Sequence, residues 1–309
     1  MGFSVNEGYA SAPGDIRAFD VRTGKEVWRF HTVPRPGEFG NDSWLGESWR
    51  DRGGANAWGG VRVDSKHALV FAGLGSAAHD FYGGDRQGNN LFANSVVALD
   101  ARTGRRVWHQ QLIRHDLWDY DIPYPPTLVS VKHSGKTIEA VAQATKTGYV
   151  FLFDRLTGVP LFDLTERPAP QSDVPGEKTA ANQVYPVKPP PFVRQEFGEK
   201  DITDISPEAA RDIRGKLQGM RLGSIFTPPS VQGHRSDAGF AVARATWSGA
   251  SFDPITGLLY INANDMPWTV YVQEVASTKG LYAGKGISIF KDKDGFPGFE
   301  ASLGYSQCH

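Results

Sequence analysis

The densest group of reactive side chains in the sequence lies between Arg114 and Asp121. This segment, Arg-His-Asp-Leu-Trp-Asp-Tyr-Asp, combines three carboxylates, a histidine and two aromatic rings. Crowded carboxylates raise one another's pKa, which suits one of them to taking a proton from a substrate. The alternative interpretation is a loop whose acids cap turns and whose tryptophan packs in the core. Composition alone favours this alternative.

Lys146 is a second candidate for chemistry. It stands just before the apolar run Tyr149-Val-Phe-Leu-Phe153, which predicts a strand, so its ammonium would project at the mouth of that strand. A lone lysine in this place is usually a solvated edge residue. Taken singly, Lys146 therefore indicates no function.

Repeats indicate the elements that must position these residues. Ala18-Phe-Asp-Val-Arg-Thr-Gly-Lys-Glu-Val-Trp28 recurs as Ala98-Leu-Asp-Ala-Arg-Thr-Gly-Arg-Arg-Val-Trp108, with weaker copies at 152–162 and 251–260. Each copy predicts a strand ending at aspartate, a turn closed by Thr-Gly, and a return strand ending in an aromatic residue that docks on the neighbouring sheet. Four unrelated hairpins are the alternative, but the near-identity of the first two copies argues against it.

Repeated four-stranded units predict an all-β propeller, because one such sheet cannot bury both of its faces alone. The irregular spacing of the copies predicts long inserted loops. The plainest insert, residues 166–206, is rich in proline and charge and predicts extended loop. A short helix is predicted from the N-cap Ser206 to about Leu222, with Ile213, Leu217 and Met220 on one face and Gly223 at its end.

Composition excludes several classes of protein. The formal net charge of −1 offers no field that would draw the chain to nucleic acid. The one cysteine, Cys308, can form neither an internal disulfide nor a cysteine metal cluster, and it lacks the earlier cysteine of a haem-attachment motif. No apolar run reaches the length of a membrane span, and Met1-Gly-Phe-Ser-Val does not open a secretory signal.

Taken together, the motifs resemble the pyrroloquinoline-quinone (PQQ)-dependent dehydrogenases, especially the glucose and polyol branch. The shared segments run in the family's order from about residue 3 to 297: they are Ala98–Trp108, His115–Asp121 with Pro126–Leu128, Lys146–Gly148, Ile225–Ser230 and Asn262–Pro267. The resemblance implies a β-propeller of the quinoprotein alcohol dehydrogenase type, eight-bladed in the parent protein, of which this chain covers roughly the middle blades.

The resemblance also implies roles for individual residues. Asp119 matches the family's catalytic carboxylate, and Lys146 matches the cation beside the quinone carbonyls. A fixed charge there would stabilise negative charge on the quinone oxygen as hydride arrives. Trp58 matches the indole that packs on the cofactor ring, while Trp247 and Asn262 match cofactor positions on a later blade.

A divalent ion, Ca²⁺ or Mg²⁺, is implied with Asn6 and Glu7 as its oxygen ligands, which suit hard cations. The chain departs from the family at Ala78, where a Thr or Asn oxygen is usual, so the metal site is expected to be weaker or completed by water. Asp237 and Ser248 depart from a run that usually ends Asn-Trp-Gly-Gly, and we expect them to narrow or re-polarise that part of the pocket.

The ends of the chain also depart from the family pattern. Residues 1–297 are predicted to be a partial propeller that opens inside the third blade. Residues 298–309 replace the expected run and are predicted to be an aberrant tail, which we attribute to a frameshift or assembly error after Pro297. Half a propeller would expose apolar sheet faces, so we expect little activity from this polypeptide alone.

The resemblance implies an oxidoreductase that transfers hydride from a sugar, polyol or alcohol to PQQ and passes electrons to ubiquinone or a cytochrome in the periplasm. Membrane association of the parent stays open. Two alternatives remain. A cofactor-free propeller scaffold for protein assembly would explain the repeats but not the conjunction of Asp119, Lys146, Trp58 and Glu7. An inactive fragment of the enzyme is compatible with the first reading.

Overall fold

The computed structural model describes residues 8, 10–231, 239–241, 244–264 and 267–299. Within these ranges the chain is built mainly of antiparallel β-strands, as the repeats predict. The first strands are β1 Ile16–Phe19, β2 Glu26–Phe30, β3 Val61–Asp64, β4 Leu69–Gly73, β5 Ser95–Asp100, β6 Arg106–Gln111, β7 Thr127–His133, β8 Lys136–Ala144 and β9 Val150–Asp154. The remaining elements are β10 Leu164–Pro168, β11 Asn182–Pro186, β12 Glu196–Phe197, α1 Pro207–Leu217, β13 Gly223–Ser224, β14 Gly239–Ala241, β15 Arg244–Phe252, β16 Leu259–Asn264, β17 Trp268–Glu274 and β18 Tyr282–Ile289.

The strands form small sheets in which, except for the pairing of β14 with β17, neighbours in sequence are neighbours in space. Strands β3, β4, β5 and β6 make a four-stranded antiparallel meander, and β7, β8 and β9 make a three-stranded one. Further along the chain β15 pairs with β16, and β17 pairs with both β14 and β18. Up-and-down sheets of this size, linked in series, are the units of a propeller.

The repeated turns have the predicted geometry. In the second copy, Oδ1 of Asp100 accepts hydrogen bonds from the backbone N–H groups of Arg102 and Thr103, both at 2.9 Å. Gly104 follows with a φ of +71°, a conformation that favours glycine. Asp20, Asp154 and Asp253 cap the corresponding turns in the same way. The sequence therefore predicts these hairpins correctly from local chemistry.

The tryptophan that ends the first two copies docks on the turn of the next copy. The indole N–H of Trp28 donates to the carbonyl of Ala101 at 2.9 Å, and that of Trp108 donates to the carbonyl of Arg155 at 3.0 Å. Each ring lies over the turn glycine of its neighbour, so a Cβ atom on Gly104 or Gly158 would come within 2.6 Å of the indole. These contacts join successive sheets and confirm the predicted docking.

The insert between the third sheet and the helix is more structured than its sequence suggests. The prediction of extended loop over 166–206 is wrong in part, because β10 and β11 form a hairpin and β12 pairs with β13. Most of β10 is exposed. Its sequence, Leu-Thr-Glu-Arg-Pro, consequently lacks the alternation of apolar and polar residues by which strands are recognised.

The predicted helix exists but is shorter than expected. Its N-cap is confirmed, since Oγ of Ser206 accepts the N–H of Ala209 at 3.0 Å. The predicted end near Leu222 is wrong: α1 ends at Leu217. Gly219 has a φ of +84°, a left-handed conformation that terminates helices, and Gly223 lies beyond the end. In the described part of the chain, no helix is long and apolar enough to cross a membrane.

The docking contact can be tested by comparing a turn glycine that lies against a tryptophan with one that does not. Gly158 and Gly257 have similar positive φ values, 71° and 75°, but only Gly158 has a tryptophan against it. Alanine at either position should incur the left-handed cost of about 1–2 kcal/mol. Gly158→Ala should lower the free energy of unfolding by about 1–3 kcal/mol more, because the added methyl overpacks Trp108. Denaturant unfolding followed by tryptophan fluorescence measures the difference, and equal losses in the two variants would contradict the docking argument.

Candidate active site

Lys146 lies at the centre of a buried group of charges. Its ammonium donates to Oδ1 of Asp119 at 2.9 Å, to the backbone carbonyl of Asp119 at 3.0 Å and to Oδ2 of Asp121 at 2.7 Å. The residue is only 4% exposed, so it is not the solvated edge lysine of the alternative interpretation. The structure thus brings together the predicted pair Asp119 and Lys146 and adds a second carboxylate to it.

Lys146 is placed by a tight turn between β8 and β9. Thr145 and Tyr149 close that turn through a backbone hydrogen bond of 3.0 Å, and Gly148 adopts a φ of +80° within it. The insert covers the turn closely, since a Cβ on Gly148 would lie 2.0 Å from Cγ2 of Val193. The lysine is therefore held by a glycine turn and by the insert packed against it.

Asp119 projects from a loop that two aromatic residues anchor in the core. The indole N–H of Trp118 donates to the carbonyl of Thr227 at 3.0 Å, and the hydroxyl of Tyr120 donates to the carbonyl of Ile225 at 2.7 Å. Between these anchors Asp119 has a φ of +58°. The interpretation of this segment as a loop anchored in the core thus holds for Trp118 and Tyr120. The side chain of Asp119, between them, pairs with Lys146.

Trp58 joins the group from a separate segment. The ring centroid of Trp58 lies 5.9 Å from the ammonium of Lys146, a distance at which a cation and an aromatic ring attract. Its segment runs beside Gly75, whose N–H donates to the carbonyl of Asn56 at 3.0 Å. A Cβ on Gly75 would lie 2.6 Å from Oδ1 of Asp121, 3.1 Å from Oδ1 of Asn56 and 3.2 Å from Nε1 of Trp58. The missing side chain at Gly75 is what lets these groups converge.

The group contains more carboxylates than cations. Burial alone would raise the pKa of Asp121, but the Lys146 ammonium and hydrogen bonds from its neighbours, including the N–H of Ser76 at 2.6 Å, leave that pKa below its ordinary value. One ammonium and two carboxylates face one another. The site is therefore built around a fixed cation with an excess of carboxylate oxygens.

The other predicted site residues stand differently. Asn262 is exposed on β16, and its backbone carbonyl accepts the hydroxyl of Tyr124 at 3.5 Å. No hydrogen bond in the described part of the chain joins the Asn262 side chain to Lys146 or Asp119. Trp247 belongs to β15, but its side chain is outside the described residues, as are Asn6 and Glu7. Their cofactor and metal roles remain predictions.

Ala78 is 1% exposed and presents only a methyl group where the resemblance leads one to expect an oxygen ligand. The nearest hydroxyl in sequence, that of Ser76, is engaged with the carboxylate of Asp116. Among the residues that the structure describes, no cluster of three or more His, Cys, Asp or Glu is arranged to hold a metal ion. Asp237 lies outside the described residues, and so does the side chain of Ser248.

The sequence assigns no individual role to two members of the group. In the sequence, Asp121 is only one of three neighbouring carboxylates, and nothing singles out Asn56. Both acquire their place through Gly75, far away in the chain. The crowding of acids was the one signal for Asp121, and it does not say which acid meets the lysine.

His115 supplies a prediction about pH. Its Nδ1 lies 2.8 Å from the carbonyl of Gly88, and burial, with a smaller contribution from Arg86, lowers its pKa to about 3. The unfolded chain binds a proton near the ordinary value of about 6.5, whereas the folded chain does not. The free energy of unfolding should therefore fall as pH drops from about 6.5 to 3, by about 1.4 kcal/mol per pH unit for this residue. Unfolding of the wild type and His115→Asn at several pH values isolates the effect, and parallel pH curves would contradict it.

Removing the central cation should be costly. Lys146→Gln leaves Asp119 and Asp121 buried without their ammonium, and we expect a loss of about 3–5 kcal/mol in the free energy of unfolding at pH 7. The loss should shrink at pH 5, because the carboxylate pKa values rise in the variant and one acid then takes up a proton. Lys66→Gln is the matched control. Lys66 is an exposed lysine paired with Glu139, so its loss should cost at most about 1 kcal/mol. Equal losses would show that Lys146 is not a buried structural charge.

Comparison with known proteins places this geometry in a family. The chain is 33% identical over 279 residues to the quinate/shikimate dehydrogenase (quinone) of Acinetobacter baylyi, covering 87% of this chain and 33% of that protein. It is 32% identical to quinoprotein glucose dehydrogenase A of Acinetobacter calcoaceticus, with 86% of this chain and 34% of that protein covered. It thus spans about a third of the length of these curated relatives.

Solved structures show the same fold. A europium-containing methanol dehydrogenase superposes with a TM-score of 0.64 at 21% identity, over 96% of this chain and 47% of that one. The quinohemoprotein alcohol dehydrogenase ADHIIG of Pseudomonas putida HK5 gives 0.60 at 23%, over 94% and 39%. The family model described as "PQQ: Glucose/ethanol/alcohol dehydrogenase, beta-propeller domain" matches residues 2–297. The chain therefore belongs to the PQQ-dependent dehydrogenase family of β-propellers.

Proposed function

We propose that the chain forms part of an oxidoreductase that transfers hydride from a CH–OH group of a sugar, polyol or alcohol to PQQ. The observation that carries the proposal is the buried ammonium of Lys146, which is held by two carboxylates and lies 5.9 Å from the ring of Trp58. The alternative of a propeller scaffold without a cofactor explains the repeats but not the conjunction of Asp119, Lys146 and Trp58 at one place. The names of the relatives, which include glucose, glycerol and quinate dehydrogenases, support the substrate class.

The residues present fit PQQ, a flat and anionic quinone. Trp58 is partly buried and offers a planar indole for ring packing. Lys146 offers a cation for the anionic oxygens, and the amide oxygen of Asn56 lies near Gly75, as does Oδ1 of Asp121. When bound, PQQ would supply the electrophilic carbonyl that accepts hydride. Trp58 and Lys146 are the residues that we assign to holding it, with Trp247 and Asn262 as further contacts.

Asp119 is the residue that we assign to proton removal. Its side chain is 17% exposed, against 11% for Asp121, so it is the more accessible of the two acids. Lys146 holds its Oδ1, which fixes the direction in which the carboxylate points. A carboxylate fixed in this way would accept the hydroxyl proton of the substrate, while the ammonium stabilises negative charge that develops nearby.

The proposal includes three features that rest on the family resemblance. A divalent cation, Ca²⁺ or Mg²⁺, would be bound through oxygen atoms of Asn6 and Glu7, without a ligand from Ala78. A quinone such as ubiquinone, or a cytochrome, would take the electrons onward. The periplasm is the proposed location.

The assay that tests the function uses the longest reading frame containing these 309 residues. The protein is incubated with PQQ and Ca²⁺ or Mg²⁺, and dye reduction is followed with glucose, polyols, quinate and simple alcohols. We expect turnover that needs both additions and that falls by about 10²–10⁴-fold in Asp119→Asn, since proton abstraction is lost. Asp100→Asn, which alters an exposed turn, is the control and should retain activity.

Cofactor binding separates the proposal from its alternatives. Absence of PQQ binding, measured by quenching of tryptophan fluorescence, would favour the scaffold interpretation. The 309-residue chain assayed by itself tests the inactive-fragment interpretation, which predicts that turnover is confined to the longer protein.

A further inference from the structure

The carboxylate of Asp116 lies behind the site and collects four hydrogen bonds. Oδ1 accepts the N–H of Trp118 at 2.9 Å, and Oδ2 accepts the N–H of Tyr120 at 2.7 Å. Oδ2 also accepts the amide of Asn94 at 2.9 Å and the hydroxyl of Ser76. Asp116 is 2% exposed, so these donors take the place of the water that a carboxylate normally binds.

Two of these donors stand on either side of Asp119. Because the backbone N–H groups of residues 118 and 120 point at one carboxylate, the chain between them must turn, and Asp119 takes a φ of +58°. The N–H of Asp119 donates to the carbonyl of Asp80 at 3.3 Å. Asp116 thereby sets the direction in which Asp119 leaves the loop.

Ser76 links the same carboxylate to Asp121. Its hydroxyl donates to Asp116, while its backbone N–H donates to Oδ1 of Asp121 at 2.6 Å. Asn94 reinforces the link, because its amide also donates to the carbonyl of Tyr120 at 3.0 Å. Both acids that hold Lys146 are thus connected to Asp116: Asp119 through its two chain neighbours and Asp121 through Ser76.

The hydrogen bonds of Arg86, a buried cation near Asp116, go to atoms other than the Asp116 carboxylate. Arg86 is fully buried and donates to the backbone carbonyls of His79 and Asp116 and to the side chain of Asn90. Burial raises the pKa of Asp116, and its hydrogen bonds oppose that rise. An acid kept in such a place at an electrostatic cost is expected to have a specific task.

We infer that Asp116 is a positioning residue, which fixes Asp119 and Asp121 on Lys146 from behind the site. The catalytic consequence of this inference rests on the proposed function, whereas the geometric consequence does not. If Asp116 sets the loop, replacing it should loosen the hold on Lys146 even in the absence of cofactor.

Asp116→Asn is the test variant. The substitution keeps the shape of the side chain, but one carboxylate oxygen is replaced by an NH₂ group. This group can only donate, so it cannot accept the hydrogen bond from the N–H or O–H group that it faces. Asp64→Asn is the matched control, because Asp64 is also a buried acid, 5% exposed, and it pairs with Arg155 and His67 at the opposite end of β9 from Lys146. Both variants should lose stability, but only Asp116→Asn should disturb the site.

The first measurement needs no cofactor. Acetic anhydride labels lysine amines, and mass spectrometry compares the labelling rate of Lys146 with that of the exposed Lys136. A buried amine held by two carboxylates reacts slowly, so we expect the relative rate at Lys146 to rise about tenfold in Asp116→Asn through local opening. It should not change in Asp64→Asn. Equal rates at Lys146 in the wild type and Asp116→Asn would overturn the inference.

The second measurement compares the steady-state kinetics of the variants in the protein from the longest reading frame, loaded with PQQ. It separates positioning of the acids from general destabilisation. We expect kcat to fall about 10²-fold in Asp116→Asn, as misplacement of a reacting group does, with KM little changed. Asp64→Asn should retain kcat under conditions in which both variants are folded. A loss of kcat without faster labelling of Lys146, or an equal loss in both variants, would contradict the role.

The two proposals fail separately. If the wild-type protein neither binds PQQ nor turns over, the proposed function fails, and the labelling comparison still decides whether Asp116 positions the acids. If Asp116→Asn does not fold, Ser76→Ala and Asn94→Ser each remove one donor from the same carboxylate. Faster labelling of Lys146 in these variants supports the inference, and unchanged labelling in both overturns it.

Discussion

The ion pairs of Lys146 are the interaction on which the rest of the structure depends. A buried ammonium is costly unless its hydrogen bonds and charge are matched, and here three oxygen atoms from Asp119 and Asp121 match it. Those oxygen atoms belong to one loop, and without the lysine its two carboxylates would repel each other. The turn before β9, the loop that carries the acids and the segment around Gly75 must therefore come together in one arrangement, and any element that shifts leaves a charge unpaired.

A rigid scaffold meets this requirement through repeated contacts between sheets. The strands that flank Lys146, β8 and β9, belong to the sheet on whose turn Trp108 docks, and Trp28 docks one sheet earlier. Each indole contributes a hydrogen bond and packs on a glycine that admits no side chain. Errors in the placement of one sheet are thus limited by its neighbour, which is how loops on a propeller can present side chains with the accuracy that catalysis needs.

The sequence predicts the local features well and the non-local ones poorly. The Asp-x-x-Thr-Gly turns and the Ser206 N-cap depend on a few neighbouring residues, so their chemistry can be read directly. The pairing of Asp119 with Lys146 came from family resemblance. The place of Asp121 depends on Ser76 and Gly75, which no local pattern connects to it. The apolar stripe at Ile213, Leu217 and Met220 suggests a longer helix, but the left-handed Gly219 ends it at Leu217. Strand β10 is not predicted because an exposed strand need not alternate apolar with polar residues.

The segment from Arg114 to Asp121 shows why structural and functional interpretations of a motif need not exclude each other. Asp116, Trp118 and Tyr120 do what the structural interpretation expects, capping a turn and filling the core. The hydrogen bonds of these three residues nevertheless place Asp119 against Lys146. Because alternate residues of one short loop anchor it and present its acids, a change in the core is transmitted directly to the charges. A substitution of a buried residue in such a loop should therefore displace the accessible acid, since the buried residues determine where that acid points.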